Sequence, residues 1–343
     1  MTAESPKTTK IEPHPAKPPR RFRFGWLARI LLLLLLVSVI VNLIMYGEYN
    51  TYFTASDPVP ERFHSGDRNS DDKIAVLKMS GVIMPPFTGQ MLAAIKQAAN
   101  DDQVKGVLLV IDSPGGLVAD SHQIYHRLQK LAEKKPMYVA MQRMAASGGY
   151  YIAMGAGPES RIFVEPTTWT GSIGVIIPRY DVHLLAEKWG VSAEPLKTGE
   201  FKDSLNPFRE LSENDKKLWA AIMEDSFSRF RNVISDNRNT LTPEQVKELA
   251  TGQIYTASQA LENGLVDEVG FEDDALAALK KKLNLTNARV VSYYFQPGLL
   301  EILTGSVENQ QSENQLARFL DTTVPRAMYY CSWLPTGVPA SSP

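Results

Sequence analysis

The sequence predicts an α/β fold: a parallel sheet of repeated βα units with a helical C-terminal part, preceded by one transmembrane helix. Three observations predict it. From residue 73 onward, short apolar strand patterns alternate with amphipathic helical ones. The central strand pattern, Gly106–Ile111 (GVLLVI), is apolar throughout, as a strand covered on both faces requires. Near the N-terminus, the 17 residues Ile30–Tyr46 hold only Ser38 and Asn42 as polar members.

Residues 1–23 are rich in Pro, Lys, Thr and Arg and read as a disordered tail. Residues 24–46 read as a membrane anchor, with Arg29 snorkelling toward the headgroups. The length suffices for a hydrocarbon core of about 30 Å. A run apolar on every face argues against a soluble buried helix. The long polar tail and the lack of an Ala-x-Ala site after Tyr46 argue against a cleaved signal peptide. Seven Lys or Arg lie between Lys7 and Arg29. The positive-inside rule then places the N-terminus in the cytoplasm and residues 47–343 outside it, in a single-pass protein of the inner or plasma membrane.

Residues 47–72, with Pro58, Pro60 and an Asp/Ser/Gly cluster, read as a linker to a domain spanning 73–303. Strands are expected at Lys73–Met79, Gly106–Ile111, Met137–Met141, Arg161–Val164, Ser172–Ile177, Ala193–Lys197 and Arg289–Tyr294. Helices are expected at Met91–Ala99, Leu117–Glu133, Ser147–Met154 and Val182–Trp189. Repeated βα units imply a parallel sheet with right-handed crossovers. After Pro207 the chain turns helical. Ser212 caps a long helix to Asn237, Pro243 starts another, and Thr256 caps Ala257–Asn263, which Gly264 stops. A further helix covers Asp273–Lys282. Residues 304–343 read as an irregular tail.

Composition excludes several classes. The 36 basic and 38 acidic residues nearly cancel, which gives no footprint for nucleic acid. The one cysteine, Cys331, can form neither an internal disulfide nor a cysteine metal site. His122 and His126 share a helix face but lack a carboxylate motif, so no metal or organic cofactor is expected.

Three loops carry the unusual residues. Asp112-Ser113-Pro114-Gly115-Gly116 ends the GVLLVI strand, and its glycines suit either a βα turn or backbone N–H groups aimed at an oxyanion. Ala145-Ala146-Ser147-Gly148-Gly149 follows the next strand, so Ser147 is either a helix cap or a nucleophile at the sheet's C-terminal edge, with the Gly148 N–H beside it. Lys197-Thr198-Gly199-Glu200-Phe201-Lys202-Asp203 offers lysines, each a solvated charge or a base for that serine. Lowering a lysine from about 10.4 to about 7–8 takes roughly 4 kcal/mol against its charged form.

Taken together, IDSPGG (111–116), AASGGYYIA (145–153), TGSIGV (170–175), GEFKDSLNPF (199–208) and TGQIYTASQALENGLVDEVG (251–270) resemble the signal peptide peptidase SppA group of serine-lysine peptidases. That group shares the fold type of Clp protease and crotonase. The resemblance covers roughly 73–275. It implies Ser147 as nucleophile, Lys202 as general base in preference to Lys197, and Gly115, Gly116 and Gly148 as the oxyanion region. Ser172 is a candidate for orienting Lys202. The region after the serine helix, Phe163-Val164-Glu165-Pro166-Thr167-Thr168, has no histidine for a Clp-type triad. The resemblance further implies apolar peptide substrates such as remnant signal peptides. It also implies a homo-oligomeric ring whose groove is shared between subunits. Two rivals stay open: a catalytically weak membrane scaffold of the same fold, and a membrane-protein quality-control protease.

Overall fold

The computed structural model describes residues 25–53, 59–294 and 328–330. It divides into two compact units, one built on the N-terminal helix and one holding the rest of the described chain.

The first unit is helix α1, Trp26–Phe53. Its side chains from Ile30 to Val41 are exposed, including all of Leu31 to Leu36. Among the described residues no helix is long and apolar enough to cross a membrane.

The second unit begins with strand β1 (Glu61–Gly66), β2 (Lys73–Ser80), helix α2 (Phe87–Asn100), β3 (Val104–Ser113), β4 (Gly115–Leu117), α3 (Val118–Ala132), β5 (Met137–Ala146) and α4 (Gly148–Ala153). It continues with β6 (Ile162–Val164), β7 (Trp169–Gly171), α5 (His183–Lys188), α6 (Glu213–Asn237), α7 (Pro243–Leu249), β8 (Ile254–Thr256) and α8 (Ala257–Glu262). β9 (Glu268–Val269), α9 (Glu272–Lys282), β10 (Arg289–Tyr293) and β11 (Met328–Tyr330) complete it.

The main sheet runs in the order β1-β10-β2-β3-β5-β6-β9, with β7 pairing β5 and β8. From β10 to β9 all neighbours are parallel, and β1 closes the edge antiparallel to β10. Successive strand residues face opposite sides of the sheet. Ala75, Leu77, Val107, Leu109, Ile111, Val139 and Met141 therefore face a large core with α2, α3, α4 and α6. Ile74, Val76, Leu108, Val110, Tyr138 and Ala140 face a second core under α9. Both faces are covered, which is why GVLLVI has no polar member.

The two cap assignments hold as capping boxes, Ser212 with Asp215 and Thr256 with Gln259, and Thr242 forms another with Gln245 ahead of Pro243. Four expectations differ. Residues 47–72 are not wholly a linker, because α1 runs to Phe53 and β1 joins the sheet edge. The expected strand at Ser172–Ile177 lies earlier, as β7, because positive φ at Gly171 (80°) and Ser172 (49°) turns the chain out of the sheet. Ala193–Lys197 is not a strand; the segment is exposed and pairs with no strand among the described residues. Within 304–343, residues 328–330 form β11, paired with β4. The expected tail at 1–23 and the rest of 304–343 lie outside the described residues.

Candidate active site

The site forms where β3 and β5 end at their C-terminal edges, the place at which open α/β sheets gather functional loops. After Ile111 the β3–β5 register shifts, and Ser113 pairs with Ala145. Ser113 Oγ then fixes the loop. It donates to the Gly81 carbonyl (2.6 Å) and accepts from the Gly115 N–H (3.1 Å). Gly115 sits at φ 101°, a left-handed conformation that excludes ordinary side chains. Its N–H is committed to Ser113, so of the three glycines expected to serve an oxyanion it is the one whose N–H is already spent.

Gly116 follows with its Cα pressed against β4's neighbour. A Cβ there would lie 2.1 Å from the Ile83 carbonyl oxygen. The same tightness brings Gly116 to Gly148: a Cβ on Gly148 would lie 3.1 Å from the Gly116 nitrogen. The backbones of two different loops thus lie close together at the turn that carries Ser147.

Ser147 stands between β5 and α4 at φ 54°, ψ −113°. A non-glycine residue is held at positive φ only when its surroundings impose it. Here the Ser147 N–H donates to the Gly171 carbonyl (2.7 Å), and its own carbonyl accepts from Tyr151 (2.8 Å). The side chain is 1% exposed, and its Oγ has no hydrogen-bond partner among the described residues. A buried hydroxyl left unpaired costs stability that folding alone has no reason to concede. Ser121 and Ser160 carry unpartnered buried hydroxyls too, so it is the positive φ together with the unpaired hydroxyl that singles out Ser147 as a candidate.

Ser172, next after Gly171, is buried beside this turn and donates its N–H to the Gln253 carbonyl (2.7 Å). Lys202 lies on a 3-10 turn, Glu200–Asp203, with its side chain exposed. Within one chain the Lys202 amine does not bond Ser147 Oγ, and Ser172 makes no bond to Lys202 among the described residues. Lys197, the other candidate, is committed. Its Nζ pairs with Asp203 Oδ1 (2.7 Å) and donates to the Glu200 carbonyl (3.3 Å). That pairing holds the Asp203 carboxyl below its ordinary range.

The sequence reading missed an aromatic wall behind Ser147. Tyr151 lies one turn into α4, and its hydroxyl is 2.8 Å from His122 Nδ1. Phe230 of α6 meets the Tyr151 ring edge-on at 5.1 Å between centroids. The YY of AASGGYYIA was the available signal, since two adjacent tyrosines after a serine turn are both fully buried here.

Comparison with known proteins fits this geometry. The pattern of Clp protease matches residues 75–170, and that of Peptidase family S49 matches 129–286. A candidate signal peptide peptidase SppA of Enterococcus faecium is 37% identical over 284 residues, covering 76% of this chain and 81% of its own. The chain belongs to peptidase family S49. A serine protease SPPA of Arabidopsis chloroplasts is 32% identical over 226 residues, 62% of this chain and 33% of its own length. Protease 4 of Haemophilus influenzae is 33% identical over 253 residues, 71% of this chain and 39% of its own. S49 membership makes the chain a serine endopeptidase acting on peptides, and the parallel sheet fits the Clp-protease-like fold.

Proposed function

We propose that this S49 member is a membrane-anchored endopeptidase that cuts apolar peptides, remnant signal peptides among them, with Ser147 as nucleophile and Lys202 as general base. The observation that carries the reading is Ser147 itself: buried, held at positive φ, its hydroxyl unpartnered beside the converging amides of Gly116 and Gly148. Ser147 Oγ attacks the peptide carbonyl carbon, and the unprotonated Lys202 amine accepts its proton. The Gly116 and Gly148 N–H groups hold the oxyanion. The C–N bond breaks, the leaving amine takes the proton, and water then clears the acyl-enzyme.

Lys202 makes no hydrogen bond to Ser147 within one chain, and in this reading a neighbouring copy in a homo-oligomeric ring supplies the base. Two features support this. The arm bearing Lys202 exposes Leu184, Leu185, Trp189, Val191, Phe201 and Phe208, an apolar surface that a monomer rarely carries. Lys197 is tied by its ion pair, whereas Lys202 is exposed for delivery. Residues 73–303 form the peptidase domain, with β1 added at its edge. The apolar stretch 24–46 serves as the anchor and holds the domain on the extracytoplasmic side. It is supported by the all-round apolar sequence and by the exposed leucines of α1.

The test is hydrolysis of a fluorogenic apolar peptide by the full-length protein in detergent. Wild type and Lys197→Ala cleave, while Ser147→Ala and Lys202→Ala are silent. Full activity in Lys202→Ala overturns the base assignment. A silent wild type in an assembled oligomer favours the scaffold.

A further inference from the structure

Ser121 ends the first turn of α3, the helix that follows the glycines of β4, and is fully buried. A helical serine ordinarily turns back to bond the carbonyl of the preceding turn. The buried hydroxyls of the neighbouring loops all have a carbonyl partner of some kind. Ser113 donates to Gly81, Thr168 to Met141 and Thr170 to Ala145. Ser121 Oγ has no partner among the described residues. It shares that condition with Ser147, and Gly148 lies against both. Ser147 is its neighbour in the chain, and Ser121 Oγ faces its Cα, 2.6 Å from where a Cβ would stand.

Gly148 keeps the hydroxyl uncovered. Its φ is outside the left-handed region, so the backbone does not demand glycine there. Space demands it, because any side chain at 148 would press on Ser121 Oγ. The place of the absent Cβ is also 3.1 Å from the Gly116 nitrogen and 3.1 Å from the Tyr329 carbonyl oxygen. That oxygen takes no bond from Ser121. The Ser121 hydroxyl and the backbone nitrogens of Gly116 and Gly148 thus border one small space at the turn that carries Ser147.

We propose that Ser121 is a third donor of the oxyanion site, its hydroxyl bonding the substrate's carbonyl oxygen once that oxygen takes negative charge in the tetrahedral adduct on Ser147. This rests on the peptidase reading of Ser147. A hydroxyl carries one donor proton that rotates to suit its acceptor. A hydrogen bond to an ionised oxygen is roughly twice as strong as one to a neutral carbonyl. The donor therefore acts on the transition state more than on bound substrate, and its loss falls on kcat rather than KM. Burial within a helix fixes the Cβ–Oγ position in advance, so little reorganisation accompanies the reaction.

The test compares full-length wild type with Ser121→Ala and Ser121→Cys on a fluorogenic apolar peptide. Ser121→Ala loses about 10² in kcat, the cost of one oxyanion donor, with KM within about twofold of wild type. Its melting temperature is equal to or above that of wild type, because removing an unpaired hydroxyl strands no partner. Cysteine fills the same space with a weak donor, so kcat in Ser121→Cys falls nearly as far. A boronate analogue of the peptide forms an anionic tetrahedral adduct with Ser147. It binds Ser121→Ala about 10²-fold more weakly than wild type, while the uncleaved peptide binds Ser147→Ala equally with or without the second change. Wild-type kcat or undiminished boronate affinity in Ser121→Ala overturns the proposal. Wild-type kcat in Ser121→Cys makes Ser121 a packing residue, and a Ser121→Ala protein that melts well below wild type makes it a structural one; either overturns the proposal. Those results leave Ser147 as the nucleophile. A wild type that neither cleaves peptide nor binds boronate removes the peptidase reading and this assignment together.

Discussion

Gly116→Ala is the sharpest perturbation of the oxyanion site. The new Cβ would lie 2.1 Å from the Ile83 carbonyl oxygen and 2.6 Å from the Ile83 nitrogen. Carbon contacts are comfortable only near 3.5–4.0 Å, and backbone atoms cannot rotate aside, so β4 must retreat by roughly 1 Å. The Gly116 N–H moves with it, away from the oxygen it is to hold. A misplacement of that size costs about 10²-fold, and outright loss of one oxyanion donor costs about 10²–10³ in kcat, or roughly 2.7–4 kcal/mol of barrier. The crowding also destabilises the fold by about 1–3 kcal/mol. The assay is kcat and KM on a fluorogenic peptide, with urea unfolding in parallel. Gly89→Ala is the control, because nothing lies within 4 Å of a Cβ at that helical position. It keeps wild-type kcat and does not lose stability. A Gly116→Ala protein with wild-type kcat refutes the oxyanion assignment and the reading of the IDSPGG loop with it.

Two further outcomes follow from the electrostatics of the frame. Arg238 is buried and grips both Asp267 oxygens (2.9 and 2.8 Å) and the Gly264 carbonyl (3.0 and 2.8 Å). Arg238→Met strands that carboxylate and carbonyl and costs about 3 kcal/mol in urea unfolding; a change below about 0.5 kcal/mol would contradict the pairing. Asp215 accepts from Arg209 (2.7 Å) and from the Ser212 N–H and hydroxyl (2.9 and 2.8 Å), and these bonds, the Arg209 one foremost, hold its carboxyl well below the ordinary carboxylate range. A depressed folded-state pKa gives stability that is present above the unfolded value of about 3.9 and is lost as pH falls below it. The urea midpoint therefore drops between pH 5 and pH 2, and Asp215→Asn flattens part of that drop. Arg209 also bonds Asp203 beside Lys202, so activity lost to acid includes loosening of that turn.

Much of the frame was legible because its causes are local or repetitive. β2, β3 and β5 are covered on both faces, and their unbroken apolar runs follow from that. Ser212, Thr242 and Thr256 cap their helices through a residue three positions on, a relation visible in any short window. β1 was missed because ERFHSG has no alternation and gains its place only from β10, far along the chain. β11 was missed for the same reason, its partners being Gly116 and Ile176. In the site, Ser147 and the two glycine loops were legible as strand-to-helix turns. What the sequence did not disclose was that the Gly115 N–H is spent, since that depends on Ser113 capturing it. Nor did it disclose that Lys202 makes no hydrogen bond to Ser147 within one chain, because a serine and a lysine on separate loops carry no sign of their pairing.

The most direct test of the account is complementation between the two inactive variants. Full-length Ser147→Ala and Lys202→Ala are mixed in equal amounts, dissociated and reassembled, and assayed on the fluorogenic peptide. If each Ser147 works with the Lys202 of a neighbouring copy, random assembly of a symmetric ring restores about a quarter of wild-type activity. A mixture as silent as either variant alone, in oligomers shown to contain both chains, contradicts a dyad completed between subunits.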